Sequence, residues 1–281
     1  MKKVRVIIAT HLICFCVLAQ EKFPVLTNVI SFNDLQKKSI ERKMTWMNPD
    51  GTQEEMKILE MAIPFDETMK VRTKEFVHSV YGLDSIWLKP KMIVFHAMGD
   101  GDLKTSLEVS SFLNDRIPES WGNLSKAGFL PNGAHFIIDR NGTVICLSPP
   151  VSNHNSAISY QREAHHWYVK RHQDGNPFAI GIENVTDRGD YISLTQAQLE
   201  SNARLARWLV WFENGQLKFL ASHDQFNDDK NYNLFLKTFD LKNFKKQFRT
   251  KGRKDIGEKN LMLIFEKIKA RNPSVQLFFN E

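Results

Sequence analysis

Three side chains that could do chemistry each end a short apolar segment of the chain: His96, Glu183 and His223. The segments that precede them are residues 92–95, 178–182 and 219–222. Short apolar runs bounded by glycine, proline or polar residues predict buried strands, so each residue is predicted to stand where a strand ends. Imidazole and carboxylate groups bind metal ions and transfer protons. The pattern therefore predicts a metal-assisted hydrolase site, with Glu183 as its base.

A catalytic zinc ion takes three protein ligands and keeps one position for water, so the two histidines need a third partner. We expect Asp255, which lies in a polar turn before the last predicted helix and is followed by Gly257. Among the alternatives closer to His223, Asp228 and Asp229 sit in a polar run where we predict no strand or helix, and loosely held carboxylates are poor metal ligands. These alternatives are Asp224, Asp228, Asp229 and, least suited because it is a neutral amide, Asn233.

The remaining histidines are assigned lesser roles. His135 alternates with Phe136 in a predicted strand and is expected to be structural. His154 lies in a long polar segment, residues 149–177, where it either lines a substrate groove or caps a loop. Three histidines of the same segment are expected to be solvated: His165, His166 and His172.

The elements that must position these residues follow an α/β pattern. Residues 134–147 form a predicted hairpin, because β-rich runs flank Asn141-Gly142, a dipeptide typical of tight turns. Helices with an apolar face are predicted at residues 105–113, 195–211 and 260–270, the second opening with a capping box at Thr195. We expect a single α/β domain in which a central mixed β-sheet is flanked by helices.

Residues 20–88 are predicted to be an N-terminal extension that packs on the catalytic domain, residues 89–281. The extension mixes polar runs with turn signals such as Asn48-Pro49-Asp50-Gly51. A helix is predicted at Gln53–Ala62, because the residues there are good helix formers.

Residues 1–19 are predicted to be a signal peptide. Lys2, Lys3 and Arg5 precede an apolar stretch that is too short for a permanent membrane span. Small or aliphatic residues up to Ala19 suit a signal peptidase, so we expect cleavage there and an exported protein, either periplasmic or secreted. The alternative is a buried N-terminal helix or strand.

Charge and cysteine content limit the partners. Removing the predicted signal takes away three cations and no acid, which lowers the formal net charge from +6 to +3. So mild a charge does not favour nucleic-acid binding, although it is compatible with an anionic polymer. Cys146 is then the sole remaining cysteine, so no internal disulfide is expected and the domain must rely on its apolar core. The sequence makes no prediction of the oligomeric state.

Five segments in a fixed order carry a family resemblance. They are Ile93–His96, Ala134–Ile145, Asn153–Ser156, Ile180–Glu183 and Ser222-His223. In this order they resemble the type-2 N-acetylmuramoyl-L-alanine amidases, which are related to peptidoglycan recognition proteins and phage amidase lysozymes. Each segment alone is weak evidence of a family, but the five in this order make the resemblance specific. Together they cover about residues 91–270.

The resemblance implies zinc-dependent hydrolysis of the amide between N-acetylmuramic acid and L-alanine in peptidoglycan. The residues that it implies are His96, His223 and Asp255 as zinc ligands, Glu183 and Lys254 as catalytic residues, and His154 as a substrate contact. Peptidoglycan or muropeptides are the implied partners, and Zn²⁺ is the implied cofactor.

The chain departs from the family pattern at the third zinc ligand. Ile256 replaces the family's proline, no residue separates Lys254 from Asp255, and Asp255 follows His223 by 32 residues, a longer gap than the family's. Ala134 also stands where the recognition-protein branch has a tyrosine. The alternatives are therefore a non-catalytic peptidoglycan- or muropeptide-binding protein with a degenerate metal site, and a hydrolase of another exported amide.

Overall fold

The computed structural model describes residues 36–61, 90–99, 101–104, 135–147, 179–238 and 256–279, without the side chains of 227, 229, 232, 235 and 236. Several predictions concern residues outside these ranges. They are the signal peptide 1–19, the helix 105–113, the polar segment 149–177 with His154, and the residues Lys254 and Asp255.

Eight strands of the described part of the chain form one mixed sheet in the spatial order β1-β2-β5-β4-β6-β3-β7-β8. The strands are β1 (Ile40–Met47), β2 (Gln53–Glu60), β3 (Met92–Ala97), β4 (Phe136–Ile138), β5 (Val144–Cys146), β6 (Ala179–Asn184), β7 (Phe219–Ser222) and β8 (Gln276–Leu277). The pairs β1–β2 and β4–β5 are antiparallel, and the other five pairs are parallel. The mixed α/β fold and the predicted hairpin 134–147 are thereby confirmed.

Within the residues that the structure describes, three α-helices accompany this sheet: α1 (Gln196–Phe212), α2 (Asp229–Thr238) and α3 (Gly257–Lys269). The first begins at the predicted capping box, in which the Gln198 N–H donates to Thr195 Oγ1 at 3.1 Å and the Thr195 N–H donates to Gln198 Oε1 at 3.0 Å. Both groups would otherwise lack helical partners, so the exchange fixes where the helix starts. The predicted helices 195–211 and 260–270 are confirmed to within a few residues.

Alternation along the strands divides their side chains between two faces of the sheet. The helix face packs against α1 and α3 through buried strand residues such as Ile93, Phe95, Phe136, Ile138 and Ile182. The opposite face carries Met92, Val94, Ala179 and Ala221, which pack with Phe226, Phe278 and Phe279. No helix of the described residues is both long and apolar enough to cross a membrane.

The predicted helix at Gln53–Ala62 is wrong, because residues Gln53–Glu60 form strand β2. Its even-numbered residues are buried or half-buried, while Gln53, Glu55 and Lys57 are exposed, which is the two-residue period of a strand. Pairing with β1 on one side and β5 on the other overrides the helix propensity of the individual residues. Part of the predicted N-terminal extension thus forms two strands of the main sheet.

A nearly buried ion pair ties the N-terminal hairpin to both long helices. Arg207 Nε on α1 lies 2.9 Å from Glu54 Oε2, and the two side chains are only 5% and 11% exposed. Arg271, just beyond α3, contacts the other oxygen of Glu54 at 3.3 Å. Arg207 also donates to the Lys267 carbonyl oxygen at 3.1 Å. These contacts hold one strand and two helices together through a single carboxylate.

Replacing Glu54 with alanine should therefore destabilise the protein by about 3 kcal/mol, because it leaves the Arg207 guanidinium buried without its counter-ion. Glu55→Ala is the matched control, since Glu55 pairs with Lys43 where both side chains are more than half exposed. That control should lose less than about 1 kcal/mol. Urea unfolding measures both changes, and equal losses would contradict this role for Glu54.

A second carboxylate affects stability in the opposite sense. Glu213 ends α1, where the negative end of the helix dipole disfavours an anion. Burial raises the pKa of its carboxyl group from 4.5 to about 7. Between these two pH values the unfolded chain has released this proton and the folded chain still holds it. The free energy of unfolding therefore falls as the pH rises through this range.

The substitution Glu213→Gln should remove this pH dependence. Relative to the parent protein, its free energy of unfolding should increase progressively from about pH 5 to pH 7 and then level off. Glu200→Gln is the contrasting variant, because the hydrogen bond from Lys267 lowers the pKa of Glu200. Denaturant titrations at several pH values test the pair. A flat difference curve for Glu213→Gln would show that its carboxyl titrates normally.

Candidate functional site

Strand register brings His96, Glu183 and His223 to one end of the sheet. His96 on β3 pairs with Glu183 on β6. On the other side of β3, Phe95 pairs with Ser222 at the end of β7, so His96 is level with His223. The three strands are parallel neighbours, and their carboxyl ends meet where ligands commonly bind in α/β sheets. The predicted convergence of these three strand ends is therefore present in the structure.

The same alternation sets which face of the sheet these side chains occupy. His96 is two residues after Val94, which lies on the opposite face. The His223 ring lies on the same side as His96, because the two ring centroids are 4.8 Å apart. Glu183 alternates with Ile182, which lies on the helix face. All three functional groups thus lie on the side of the sheet away from α1 and α3.

The side chains are close together and largely shielded from solvent. The imidazole rings of His96 and His223 have centroids 4.8 Å apart and are tilted by 50°. Glu183 Oε1 lies 3.9 Å from His96 Nδ1, which is too long for a hydrogen bond but close enough for strong electrostatic coupling. His96 and His223 are 7% and 3% exposed. Two imidazoles and one carboxylate therefore share a shielded site.

His223 is positioned by a short 3₁₀-helix, His223–Asn227, that follows β7 directly. The Ser222 N–H donates to Gln225 Oε1 at 2.9 Å, and the Ser222 hydroxyl donates to Asp224 Oδ1. Phe226 packs edge-on against Phe279, with ring centroids 4.9 Å apart. These contacts fix the turn that carries the second histidine.

The loop after His96 is held by the loop after β6. The Gly99 N–H donates to Thr186 Oγ1 at 3.0 Å, and the Gly189 N–H donates to the Gly99 carbonyl oxygen at 2.9 Å. Gly99 has φ +65°, and a Cβ there would lie 2.7 Å from the Tyr191 ring. Only glycine suits both the backbone angle and the close approach of that ring.

Acids that follow His223 in the sequence are engaged in local structure. Asp228 Oδ1 accepts hydrogen bonds from the Lys230 and Asn231 N–H groups at 2.8 and 3.0 Å, which caps α2. The prediction that Asp228 and Asp229 lack a supporting helix is therefore wrong, because α2 begins at Asp229. The Asp228 carboxylate is nevertheless engaged in capping α2.

The described residues contain no group of three His, Cys, Asp or Glu side chains arranged to hold a metal ion. Asp255, Lys254 and His154 lie outside the described ranges, so their predicted roles remain predictions. Asn233, the weakest alternative ligand, is exposed on α2.

Sequence reasoning missed three buried amides behind the site. Asn184, Gln198 and Asn202 are all fully buried on the helix side of the sheet. The available signal was the four-residue spacing of Gln198 and Asn202, which places both on one face of a helix. His135, by contrast, was predicted to be structural, and its Nδ1 accepts a hydrogen bond from the Gly181 N–H at 3.0 Å.

Comparisons with solved structures find chains of low sequence identity. The endolysin N-acetylmuramoyl-L-alanine amidase LysCS from Clostridium intestinale URNW is 18% identical, with 57% of this chain and 94% of that chain covered and a TM-score of 0.31. A selenomethionine derivative of AmpD is 15% identical, with 67% and 86% covered and a TM-score of 0.37. No curated protein matches the chain.

A family match covers the segment that carries the candidate site. Residues 87–231, just over half of the chain, match the family described as N-acetylmuramoyl-L-alanine amidase (Amidase_2). This segment contains His96, Glu183 and His223 together with strands β3 to β7. The chain therefore belongs to the N-acetylmuramoyl-L-alanine amidase family, the amide hydrolases of the peptidoglycan cell wall.

Proposed function

We propose that this protein is a zinc-dependent amidase that cleaves the bond between N-acetylmuramic acid and L-alanine in peptidoglycan. The observation that supports this most directly is the convergence of two imidazoles and a carboxylate within the segment that matches the family. Two metal-binding groups and one candidate base at neighbouring strand ends suit hydrolysis of an amide.

The donor set suits zinc. Zinc in catalytic sites is bound by imidazole and carboxylate groups, and the His96 and His223 rings lie side by side with centroids 4.8 Å apart. His96 lies on β3 and His223 directly follows the neighbouring strand β7, so pairing of these two strands limits the separation of the rings. Ligands that are carried by such rigid elements are already in place before the metal binds.

Asp255 is our proposed third ligand. It immediately precedes Ile256, whose side chain is fully buried in the core, and this neighbour together with the start of α3 would steady the turn that carries the ligand. The competing acids are engaged elsewhere: Asp224 accepts a hydrogen bond from the Ser222 hydroxyl, and Asp228 caps α2. These engagements favour a ligand from outside the segment that directly follows His223.

Glu183 is the proposed general base. When bound, zinc would lower the pKa of a water molecule and polarise the scissile carbonyl group. Glu183 would accept a proton from the attacking water molecule while the oxygen of that water bonds to the carbonyl carbon. The same carboxyl group would then deliver that proton to the departing nitrogen of L-alanine as the C–N bond breaks. The products are a carboxylate on the muramyl lactyl group and a free peptide amine.

Lys254 and His154 complete the proposed assignment. Lys254 would stabilise the negative charge that develops on the carbonyl oxygen, since a fixed cation is most effective where charge appears in the transition state. His154 would contact the substrate. Export to the periplasm or the cell exterior, directed by residues 1–19, would bring the enzyme to its polymer.

Purified protein should contain about one zinc ion per chain and release L-alanine-terminated peptides from muropeptides, and a chelator should abolish the cleavage. Glu183→Gln should keep its zinc but lose about 10²- to 10⁴-fold in kcat, because the base is gone while the histidines remain. Mass spectrometry of the products and elemental analysis of the protein measure these effects. Glu200→Gln, a carboxylate change on α1 where Glu200 pairs with Lys267 of α3, is the control and should behave as the parent does.

Two outcomes would reject this proposal in different ways. Retained muropeptide binding with no zinc and no cleavage would identify a binding protein with a degenerate metal site. Cleavage that survives complete removal of metal would leave amidase activity but reject the zinc-dependent mechanism.

The third ligand has its own test. Asp255→Ala should lose zinc and activity while keeping the thermal stability of the metal-free parent, because a ligand is removed and the core is not touched. Asp229→Ala should retain both zinc and activity. The reverse pattern would place the ligand at the start of α2.

A further inference from the structure

We propose that Asn184 and Asn202 are positioning residues that hold His96 and Glu183 in their relative places from behind the sheet. This inference rests on the proposed function for its activity measurement, and it has a separate readout in the histidine rings. Neither asparagine belongs to the site itself, because both lie on the helix face.

Asn184 links the two strands that carry the site. It follows Glu183 on β6, and alternation directs its side chain to the helix face. Its Nδ2 donates to the backbone oxygen of His96 on β3 at 3.0 Å. One side chain therefore connects the residue next to the candidate base with the backbone of the first histidine.

Asn202 connects this link to α1. Its Nδ2 donates to Asn184 Oδ1 at 2.7 Å and to the Gln198 carbonyl oxygen at 2.8 Å, one turn earlier in the helix. Both asparagines are fully buried, so these hydrogen bonds form without competition from solvent. The helix thus contacts the strand ends through a directional polar bond in addition to apolar packing.

Gln198 extends the same arrangement to the neighbouring strand. Its Nε2 donates to the Val185 carbonyl oxygen at 2.7 Å and to the Ile138 carbonyl oxygen at 3.2 Å. These carbonyls lie just after β6 and at the end of β4. We call Asn184, Gln198 and Asn202 the amide ladder. It joins the carboxyl ends of β3, β4 and β6 to the start of α1.

The physical reason for amides at these positions is directionality. Leucine at 184 and 202 would fill a similar volume and would avoid burying polar atoms, which costs free energy unless every group is paired. Apolar packing, however, is non-directional and tolerates small sliding movements. Hydrogen bonds fix distances more narrowly. A displacement of about 1 Å at a reacting centre can reduce the rate by about 10²-fold, so the ladder would act on catalysis through geometry.

The experiment compares three variants of the full-length protein. Asn202→Leu removes one partner and leaves Asn184 Oδ1 without its donor. The double variant Asn184→Leu/Asn202→Leu removes both partners and leaves no unpaired amide between them. Ser201→Ala is the matched control, because Ser201 is the preceding residue of α1 and its hydroxyl donates to the Gly142 carbonyl oxygen at 2.6 Å, away from β3 and β6.

For each variant we would measure kcat, KM and the melting temperature. Asn202→Leu should lower the melting temperature and reduce kcat at least about 10-fold with little change in KM, because positioning affects the transition state more than substrate binding. The double variant should recover most of the melting temperature but not kcat. Ser201→Ala should keep the parental kcat.

Recovery of kcat together with the melting temperature in the double variant would overturn the proposal, since the amides would then be merely structural. An equal loss of kcat in Ser201→Ala would also overturn it. The second readout is the pair of His96 and His223 ring resonances in long-range ¹H–¹⁵N NMR spectra. They should shift in both leucine variants and stay unchanged in Ser201→Ala.

The NMR readout separates the two proposals. If the parent protein shows no amidase activity, the proposed function fails. The ring resonances then still test whether the amide ladder positions the histidines. Unshifted resonances in both leucine variants would reject the ladder whatever the activity of the parent.

Discussion

The parallel pairing of β6, β3 and β7 is the constraint on which the site depends. In a parallel ladder the register fixes which residues are level, and the two-residue period fixes which face they occupy. His96 and Glu183 satisfy both conditions, and His223 directly follows the last paired residue of β7. A slip of one residue in either pair would move a functional group to the helix face, against α1. Correct register is therefore a requirement for chemistry as well as for packing.

Register in turn depends on what covers each face. On the helix face, Ile93, Phe95 and Ile182 are fully buried against α1 and α3, so a slipped strand would place histidine or glutamate among them. The Asn184–Asn202 hydrogen bond also favours the observed register, because it forms only when these two amides face each other. Near β7, the turn that carries His223 is held by the contact between its Phe226 ring and the ring of Phe279. Packing, polar pairing and turn geometry thus agree on one arrangement.

Sequence alone predicted the parts of this arrangement that are local. His96, Glu183 and His223 were recognisable because each ends an apolar run, and α1 because Thr195 and Gln198 form a capping box. Strand β2 was missed because Glu, Met, Lys and Leu favour helices, and only pairing with β1 and β5 decides the outcome. The amide ladder was missed because asparagine and glutamine on a helix usually face solvent. The Arg207–Glu54 pair joins residues 153 positions apart, which no local pattern reports.

That long-range contact also shapes how the chain can fold. Glu54 meets Arg207, and Thr52 meets Arg271 at a separation of 219 positions. The hairpin β1–β2 is local in sequence, whereas the partners of Glu54 and Thr52 on α1 and beyond α3 emerge from the ribosome much later. Contacts of such high sequence separation require large loops to close first, and this slows folding. During synthesis the Glu54 carboxylate and the Thr52 hydroxyl would therefore stay in contact with water until the last third of the chain has been made.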